Sequence, residues 1–317
     1  MYEKYFLKLS NCLRQMVKWY LKLTAIIVVM LLANEVLSQN QAVSDTGSVN
    51  FVDSTEQKPA PPDSAYIARA ADSRWWKRKI DNKAFNIGEY LEFKVSYAGI
   101  PAGTAVLQIP DTINYNGIKC FKVMSTARSN AFVSMFYKVR DTVYSYVDYD
   151  GIFTHYFRKR LHEGRYRAEK QTSYDQRRHL AVTGKDTIPT YSFVQDAFSS
   201  MYYIRTQDID LDSDIKIDTH TDKKNYPLKI VIHGKERIKV PAGEFDCIII
   251  EPVMRTEGIF NAKGRIKIWL TDDRYKMPVK MQTEVFFIGS VTARLKKFKY
   301  GSFPEDSLIT IENVNDD

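Results

Sequence analysis

The stretch YLEFKVSY, residues 90–97, alternates apolar and polar side chains along its whole length. Leu91, Phe93 and Val95 take the odd positions, and charged or hydroxyl side chains lie between them. Because successive side chains of a β-strand point to opposite faces, this period of two predicts a strand with one buried and one solvent-facing side. A glycine turn follows at Gly99, so the stretch favours an antiparallel sheet with one wet face.

The same pattern continues along the chain. Residues 104–109 form a second alternating run, Asn116-Gly117 is typical of a hairpin turn, and further runs cover 142–148 and 153–157. Aromatic residues make up 13% of the chain, and Tyr and Phe favour strands. The predicted fold is mainly β, with one antiparallel, strongly curved open sheet or incomplete barrel and one short helix across it. A β-sandwich is the alternative.

The two ends of this region resemble each other. The tripeptide Pro-Ala-Gly occurs at 101–103 and again at 241–243, and similar strand patterns follow each copy. We predict a β-rich domain over 86–303 that contains a two-fold repeat, about 86–180 and 215–303. The alternative is that unrelated strand-turn-strand sequences look alike, and the sequence leaves both open.

One helix is expected between the two halves. Asp196 is a favourable N-cap, and Phe198, Met201 and Tyr202 follow at helical spacing before Arg205. We expect this helix to pack on the concave face of the sheet.

The N-terminal segment is typical of an export signal. An apolar run at 23–33 follows basic residues and is shorter than the ~20 residues that span a bilayer. We predict a signal peptide over 1–38, with Met1 or Met16 as the start, and an uncleaved anchor as the alternative. The protein would then lie in the periplasm or cell envelope.

Three further segments flank the β-rich domain. Residues 39–73 are polar and rich in Ser, Asp and Pro, which predicts a disordered linker. Residues 74–85 begin with Trp75-Trp76 beside basic residues, and predict a short docked helix or, as the alternative, an interfacial membrane patch. Residues 304–317 form an acidic tail.

The charge pattern argues against nucleic acid as a partner. The net charge is +8, but the basic residues are spread along the chain and form no recognisable nucleic-acid-binding module. The sequence contains no GxSxG, P-loop, GxGxxG or CxxC motif, and no histidine pair at zinc-ligand spacing. We therefore expect no cofactor, no metal and no enzymatic activity.

Cys120 and Cys247 are the cysteines outside the predicted leader. Each lies in a strand pattern, and Asp246 beside Cys247 would raise a thiol pKa, whereas a reactive thiol needs a lowered pKa. We favour two buried structural thiols over a catalytic one. A Cys120–Cys247 disulfide is the open alternative in an oxidising compartment, provided that their strands are neighbours.

Two acidic clusters look like cation sites at first. The alternating acids at 208–214 lack the glycine and glutamate of an EF-hand loop, and favour a strand edge with an acidic outer side. His220 lies between Asp218 and Asp222, and its charged surroundings favour a solvated loop.

Three groups of residues form a recognisable series. They are the opening GEYLEFKVSY at 88–97 with Ala102-Gly103, the helix at 196–205, and the closing stretches at 241–247, 268–273 and 277–279. Together, over about residues 86–300, they resemble the domain of unknown function 3108 (DUF3108) family of exported bacterial proteins. The resemblance implies an envelope protein of curved β architecture, similar to the half-barrels of lipoprotein carriers, and no established reaction. The long linker before the domain departs from the family's usual pattern.

This resemblance gives Asp196, Ser199, Tyr202 and Arg205 two alternative roles. In the structural alternative, which we favour, they cap and dock the helix, and Arg205 pairs with an acid. In the functional alternative the helix is a lid over an apolar cavity, and Arg205 meets an anionic head group. Trp269, from the closing stretches, joins the candidate ligand-binding residues.

Three functions are compatible with these observations. The first is a non-enzymatic periplasmic or envelope protein that binds a lipid-like apolar or amphipathic ligand, or an envelope protein, in the concave face. The second is an envelope glycan hydrolase that uses Asp148 or Asp150 with Asp272 or Asp273. The third is a scaffolding module. Membrane contact is expected to be peripheral at most.

Overall fold

The computed structural model describes residues 78–254, 264–285 and 289–303. The predicted signal peptide, polar linker and acidic tail lie outside these residues. Within them, no helix has the length and apolar character needed to cross a membrane.

The described residues form fourteen strands and two helices. The strands are β1 Tyr90–Tyr97, β2 Ile100–Tyr115, β3 Ile118–Ser129, β4 Arg140–Asp148, β5 Thr154–Glu163, β6 Tyr166–Asp175, β7 Leu180–Thr183, β8 Asp186–Pro189, β9 Lys216–Thr221, β10 Lys224–Val240, β11 Gly243–Met254, β12 Gly264–Thr271, β13 Pro278–Val285 and β14 Gly289–Lys299. The helices are α1 Ala131–Phe136 and α2 Ala197–Arg205.

All fourteen strands belong to one antiparallel sheet. Its order is β8-β7-β6-β5-β4-β3-β2-β1-β14-β13-β12-β11-β10-β9, so β8 and β9 are the edges. The predicted mainly β fold with an open, curved sheet is confirmed. A sandwich is excluded for the described residues, because they contain a single sheet.

Two meanders meet in the middle of this sheet. The first strand, β1, pairs with the last strand, β14, and joins β1–β8 to β9–β14. The second and third strands of the meanders are of similar length, with 16 and 12 residues in β2 and β3 against 17 and 12 in β10 and β11. This is compatible with the two-fold repeat, which stays a prediction.

One face of the sheet, which we call the inner face, buries the core. In β1, Leu91 and Phe93 are buried and Lys94 is exposed, as the period of two predicts. Side chains from both meanders, such as Val143 and Ile268, join Leu91 and Phe93 in one apolar cluster. Each fully buried side chain of this kind contributes about 1.5–3 kcal/mol, so the inner face supplies most of the driving force for folding.

The edges of the sheet approach each other through side chains. Lys159 Nζ on β5 lies 2.9 Å from Asp222 Oδ2, just after β9. Asn225 Nδ2 on β10 donates a hydrogen bond of 2.7 Å to the carbonyl of Pro189 on β8. These contacts join strands that are far apart in the sheet order, as a strongly curved sheet allows.

The helix predicted between the two halves is confirmed as α2, and seven of its nine residues are buried. Residues 78–89 cover the inner face beside it. The predicted helix over 74–85 is wrong in its described part, because 78–85 has no helical residue. The side chain of Asn82 accepts hydrogen bonds from the backbone N–H groups of Ala84 and Phe85, which offers the backbone an alternative to a helix. The segment nevertheless docks, since Phe85 is buried in the core.

A second helix, α1, connects β3 to β4 and was not predicted. It has six residues, and Asn130 caps it by accepting a hydrogen bond from the Val133 N–H. A single turn and a half is too short to display a helical period in the sequence.

Candidate functional site

The first turn of α2 is fixed by a capping box. Asp196 Oδ1 accepts hydrogen bonds from the N–H groups of Phe198 at 2.8 Å and Ser199 at 2.9 Å, and the Asp196 N–H donates to Ser199 Oγ at 2.8 Å. The cap thus satisfies N–H groups that a helix start leaves free. Ser145 on β4 donates to Asp196 Oδ2 at 2.6 Å, which ties the cap to the sheet.

The last turn of α2 carries a buried ion pair. Arg205 is 0% exposed, and its guanidinium donates to both carboxylate oxygens of Glu89, at 2.9 Å from Nη1 and 2.6 Å from Nη2. Tyr202 Oη donates to the same carboxylate at 3.0 Å. Arg205 also donates to the carbonyls of Tyr275 and Ala84. We call Glu89, Tyr202 and Arg205 the latch, because they connect α2 to the start of β1.

The charges of the latch depend on each other. Burial acts to lower the pKa of Arg205, but Glu89 acts to raise it, and the net pKa lies above the ordinary value. Burial and then the Glu89 carboxylate raise the pKa of Tyr202 well above its ordinary value, so its hydroxyl remains a donor. Removing one partner of such a pair leaves a lone buried charge, which is strongly destabilising.

Asp196 is a second buried acid of α2. Burial raises its pKa, and hydrogen bonds from Ser145 and from the N–H groups of Ser199 and Phe198 oppose that rise. The helix is therefore fixed by a capped acid at its start and by a paired acid at its end.

The structure brings together the four candidate residues of the helix, namely Asp196, Ser199, Tyr202 and Arg205. All four are buried and bonded within the chain. This arrangement fits the structural alternative, with Glu89 as the acid that pairs with Arg205. A ligand could meet these residues only if α2 moved, so their role in binding stays a prediction.

Trp269 lies apart from the latch. Its side chain alternates on β12 with the buried Ile268 and Leu270, and its Nε1 donates to Glu236 Oε2 at 2.8 Å. Lys280 Nζ lies 3.8 Å from the ring centroid. Trp269 is itself buried in the apolar cluster, but its indole ring contacts Glu236 and Lys280 and not the latch.

Cys120 and Cys247 are free and buried thiols. They lie on β3 and β11, with β2, β1, β14, β13 and β12 between them in the sheet. The alternative of a Cys120–Cys247 disulfide is wrong for this structure, because the two strands are not neighbours. Burial raises the pKa of each thiol to about 12, and Asp148 and Asp246 add to the effect at Cys120 and Cys247 respectively. Thiols with such a pKa are poor nucleophiles.

His220 is not in a solvated loop, contrary to the sequence interpretation. It is buried on β9, and its Nδ1 lies 3.3 Å from Tyr174 Oη. Burial lowers the pKa of His220 to about 4, so the ring is neutral at physiological pH. The buried Thr219 and Thr221 beside it belong to the strand, which the charged neighbours in the sequence obscured.

Residues 208–214 also differ from expectation. They form a turn before β9 and not a strand edge, and the Asp210 N–H donates to Ser213 Oγ at 2.9 Å. In the described part of the chain, no three His, Cys, Asp or Glu side chains form a group that could hold a metal ion.

The candidate glycan-cleaving acids are engaged separately. Asp148 Oδ2 lies 2.9 Å from His155 Nε2, and Asp148 Oδ1 accepts from the Gly151 N–H at 2.6 Å. Asp272 Oδ2 lies 2.7 Å from Lys235 Nζ. Each acid thus supports a turn or a strand pair within its own meander.

The sequence interpretation expected an acid for Arg205 but did not name Glu89. The two residues are 116 positions apart, so no local spacing relates them. Glu89 is, however, part of the opening stretch at 88–97 that carries the family resemblance, and that was the available indication.

The sequence model of the family described as "Protein of unknown function (DUF3108)" matches residues 92–296. No curated protein matches the chain.

Three solved structures resemble this fold. A β-barrel-like protein of domain of unknown function DUF1849 from Brucella abortus has a TM-score of 0.46 and 10% identity, over 69% of this chain and 100% of that one. A protein described as exported, with a YmcC-like fold, from Bacteroides fragilis has a TM-score of 0.32 and 14% identity, over 70% and 99%. A protein described as a lipoprotein from Parabacteroides distasonis has a TM-score of 0.32 and 11% identity, over 70% and 99%. These likenesses concern the fold alone.

Proposed function

The chain belongs to the DUF3108 family, and we propose that it is an exported, non-enzymatic protein of the cell envelope that binds an amphipathic ligand. The ligand has an anionic head group and a long acyl chain, and it binds on the inner face of the sheet when α2 moves outward as a lid, with Arg205 on the head group. One observation carries this proposal. In the described part of the chain, the nine-residue helix α2, fastened by the latch, and the irregular segment before β1, rather than a strand, lie on the apolar inner face of an open sheet.

The size of the covering helix sets the size of the ligand. When α2 leaves the inner face, four large side chains that were buried become exposed, namely Phe198, Met201, Tyr202 and Ile204. At about 1.5–3 kcal/mol each, their exposure costs about 6–12 kcal/mol. A buried methylene group returns about 0.8 kcal/mol, so a replacing ligand needs about 8–15 of them. This range favours a long acyl chain over a short apolar ligand.

The latch supports an anionic head group. Arg205 binds the Glu89 carboxylate through two parallel hydrogen bonds, at 2.9 and 2.6 Å, and the same geometry suits a ligand carboxylate or phosphate. Glu89 therefore competes with the head group for Arg205. Neutralising Glu89 should favour the ligand.

Export and the envelope location rest on the predicted signal peptide at 1–38. An apolar segment of an envelope protein could occupy the inner face in place of a lipid. The glycan-hydrolase alternative has less support, because Asp148 and Asp272 have separate partners, His155 and Lys235.

A fluorescent long-chain fatty acid tests the proposal on delipidated protein. We expect saturable binding to the unmodified chain, with competition by palmitate and none by butyrate. Glu89→Gln should bind the fatty acid more tightly, because Arg205 loses its internal partner. If Glu89→Gln does not fold, Tyr202→Phe removes a single hydrogen bond of the latch, at about 1 kcal/mol, and should shift affinity in the same direction.

Glu92→Gln is the matched control. Glu92 lies nearby, on β1, but pairs with Lys296 at 2.6 Å, away from α2. Its substitution should leave fatty-acid affinity unchanged. Absence of binding by both the unmodified chain and the latch variants, or an equal effect of Glu89→Gln and Glu92→Gln, would contradict the proposal.

A further inference from the structure

Exposed large apolar side chains gather at one rim of the sheet. In the described part of the chain there are seven such side chains, and five of them lie in the β1–β2, β3–β4 and β5–β6 connections or directly beside them: Ile100 at 59%, Phe132 at 60%, Met135 at 71%, Phe136 at 52% and Tyr166 at 50% exposure. The other two are Val182 and Leu211. Antiparallel order places these three connections at the same end of the strands.

The three connections form one continuous surface, which we call the apolar rim. Asn130, at the start of α1, donates from Nδ2 to the carbonyl of Pro101 at 2.7 Å, beside Ile100. The Gly164 N–H donates to the carbonyl of Lys138 at 2.8 Å, which joins the β5–β6 turn to the end of α1. Gly164 has a φ of +56°, and a Cβ there would lie 2.5 Å from the ring of Tyr137, so this close approach requires glycine.

The exposure of α1 does not come from loose attachment. Val133 and Tyr137 are buried beneath it, and Ser134 Oγ lies 2.6 Å from Ser129 Oγ on β3. Because Val133 and Tyr137 fix the buried side of α1, Phe132 and Phe136 lie next to each other on its exposed side, one helical turn apart. Their ring centroids lie 5.7 Å apart.

The exposed charges around the apolar rim are positive. Within residues 97–104, 126–141 and 162–168 the acids are Asp141 and Glu163, and both are buried. The cations of the same ranges are all exposed, and they are Arg128, Lys138, Arg140, Arg165 and Arg167.

A row of cations extends this surface across the sheet. Arg140 pairs in register with Arg128, and Lys94 on β1 pairs with Arg294 on β14. Arg294 in turn pairs with Lys280 on β13, and Thr104 links the two parts of the row. Because residues directly opposite each other share a face, these side chains point to the same outer side.

We propose that the apolar rim docks the protein on a lipid bilayer surface that contains anionic phospholipids. Phe132, Met135 and Phe136 enter the boundary between head groups and acyl chains, and the surrounding cations contact the phosphates. Aromatic and aliphatic side chains within a field of exposed Arg and Lys complement such a surface. The docking does not depend on a ligand at the inner face, so each can fail without the other.

An environment-sensitive NBD fluorophore at the rim tests this directly. It is attached to the full chain at Met135→Cys or, as the matched control, at the similarly exposed Leu211→Cys. Both carry Cys12→Ser, and the buried Cys120 and Cys247 stay unlabelled because burial raises the pKa of each thiol to about 12. With vesicles of about one anionic phospholipid in three, the probe at 135 should brighten on the order of twofold and shift to the blue. The probe at 211 should not respond, even if the predicted leader holds the chain on the vesicle.

Charge variants separate docking at the rim from general attraction. Lys138→Glu with Arg140→Glu should weaken the response at 135 at least about tenfold. Lys297→Glu with Lys299→Glu changes the net charge equally, at the opposite end of the strands, and should have little effect. A silent probe at 135, equal responses at 135 and 211, or an equal response on purely zwitterionic vesicles would overturn the proposal. A rim that binds an envelope protein instead would also leave the probe silent on protein-free vesicles.

Discussion

The helices α1 and α2 connect strands of the same sheet but bury their side chains in opposite ways. In α2, seven of nine residues are buried, whereas in α1 Val133 is the buried one of six. Isolated helices shorter than about 12–15 residues are marginal in water, so both depend on tertiary contacts. The core explains the apolar side chains of α2. Packing in the core does not explain the exposed apolar side chains of α1. We infer that these side chains contact a surface outside the chain.

The latch should give the largest effect on stability. Arg205→Met leaves Glu89 buried without a partner, and we expect a loss of about 3–5 kcal/mol in the free energy of unfolding by urea. The double variant Glu89→Gln/Arg205→Met should recover part of this loss, because it removes both charges. If the single and double variants are equally destabilised, the ion pair is not what fixes α2.

The buried Asp141 on β4 should make the free energy of unfolding depend on pH. Burial raises the pKa of Asp141 to about 6. A hydrogen bond from the His162 N–H and one with Glu163 act in the opposite direction and lower the pKa, but burial has the larger effect. Because the folded pKa exceeds the unfolded one, this stability is present below about pH 4 and is lost as pH rises through about 6. In the native chain, the free energy of unfolding by urea should fall by on the order of 2 kcal/mol between these two pH values because of Asp141, and Asp141→Asn should abolish this fall. An unchanged pH profile in the variant would exclude Asp141 as its source.

The cap of α2 should give a smaller effect. Asp196→Ala removes the acceptor for the N–H groups of Phe198 and Ser199, and should cost about 1–2 kcal/mol. Asp196→Asn keeps an acceptor but no charge. Because burial raises the pKa of Asp196, the aspartate stabilises the fold at low pH and loses this advantage as pH rises through its folded pKa. Compared with the native chain, the Asn variant should therefore gain thermal stability as the pH rises above about 4, and a shift in the other direction would be inconsistent with a buried carboxyl group of raised pKa.

The exposed side of α1 should give the smallest effect on stability. Phe132→Ser with Phe136→Ser removes two exposed rings, and we expect a change within about 0.5 kcal/mol in urea unfolding. The same variant should lose the vesicle response of a probe at 135. A large loss of stability would mean that α1 belongs to the core, as α2 does.

Local patterns predicted much of the fold. The period of two predicted β1 in residues 90–97, and the cap at Asp196 predicted α2, whereas β9 with His220 was mistaken for a solvated loop. Glu89 could not be identified as the partner of Arg205, because the latch joins residues 116 positions apart. The irregular course of 78–85 includes hydrogen bonds from the Ala84 and Phe85 N–H groups to the Asn82 side chain, which compete with a helix in a way that composition does not reveal.

The apolar rim was missed for a different reason. Ile100, Phe132 and Tyr166 lie in three separate connections, and only the sheet order places them at one end. In the sequence, Ile100 and Tyr166 are single apolar residues near turns, and Phe132 lies in a short apolar stretch that could equally belong to the core.

Native mass spectrometry of the chain, purified gently from the envelope fraction and then extracted with organic solvent, tests the central claim most directly. We predict a bound mass that extraction releases and that corresponds to an anionic amphiphile with an acyl chain of about 8–15 methylene groups or more. A chain that carries no ligand under these conditions and also takes up no long-chain fatty acid after Glu89→Gln would contradict the account of the inner face.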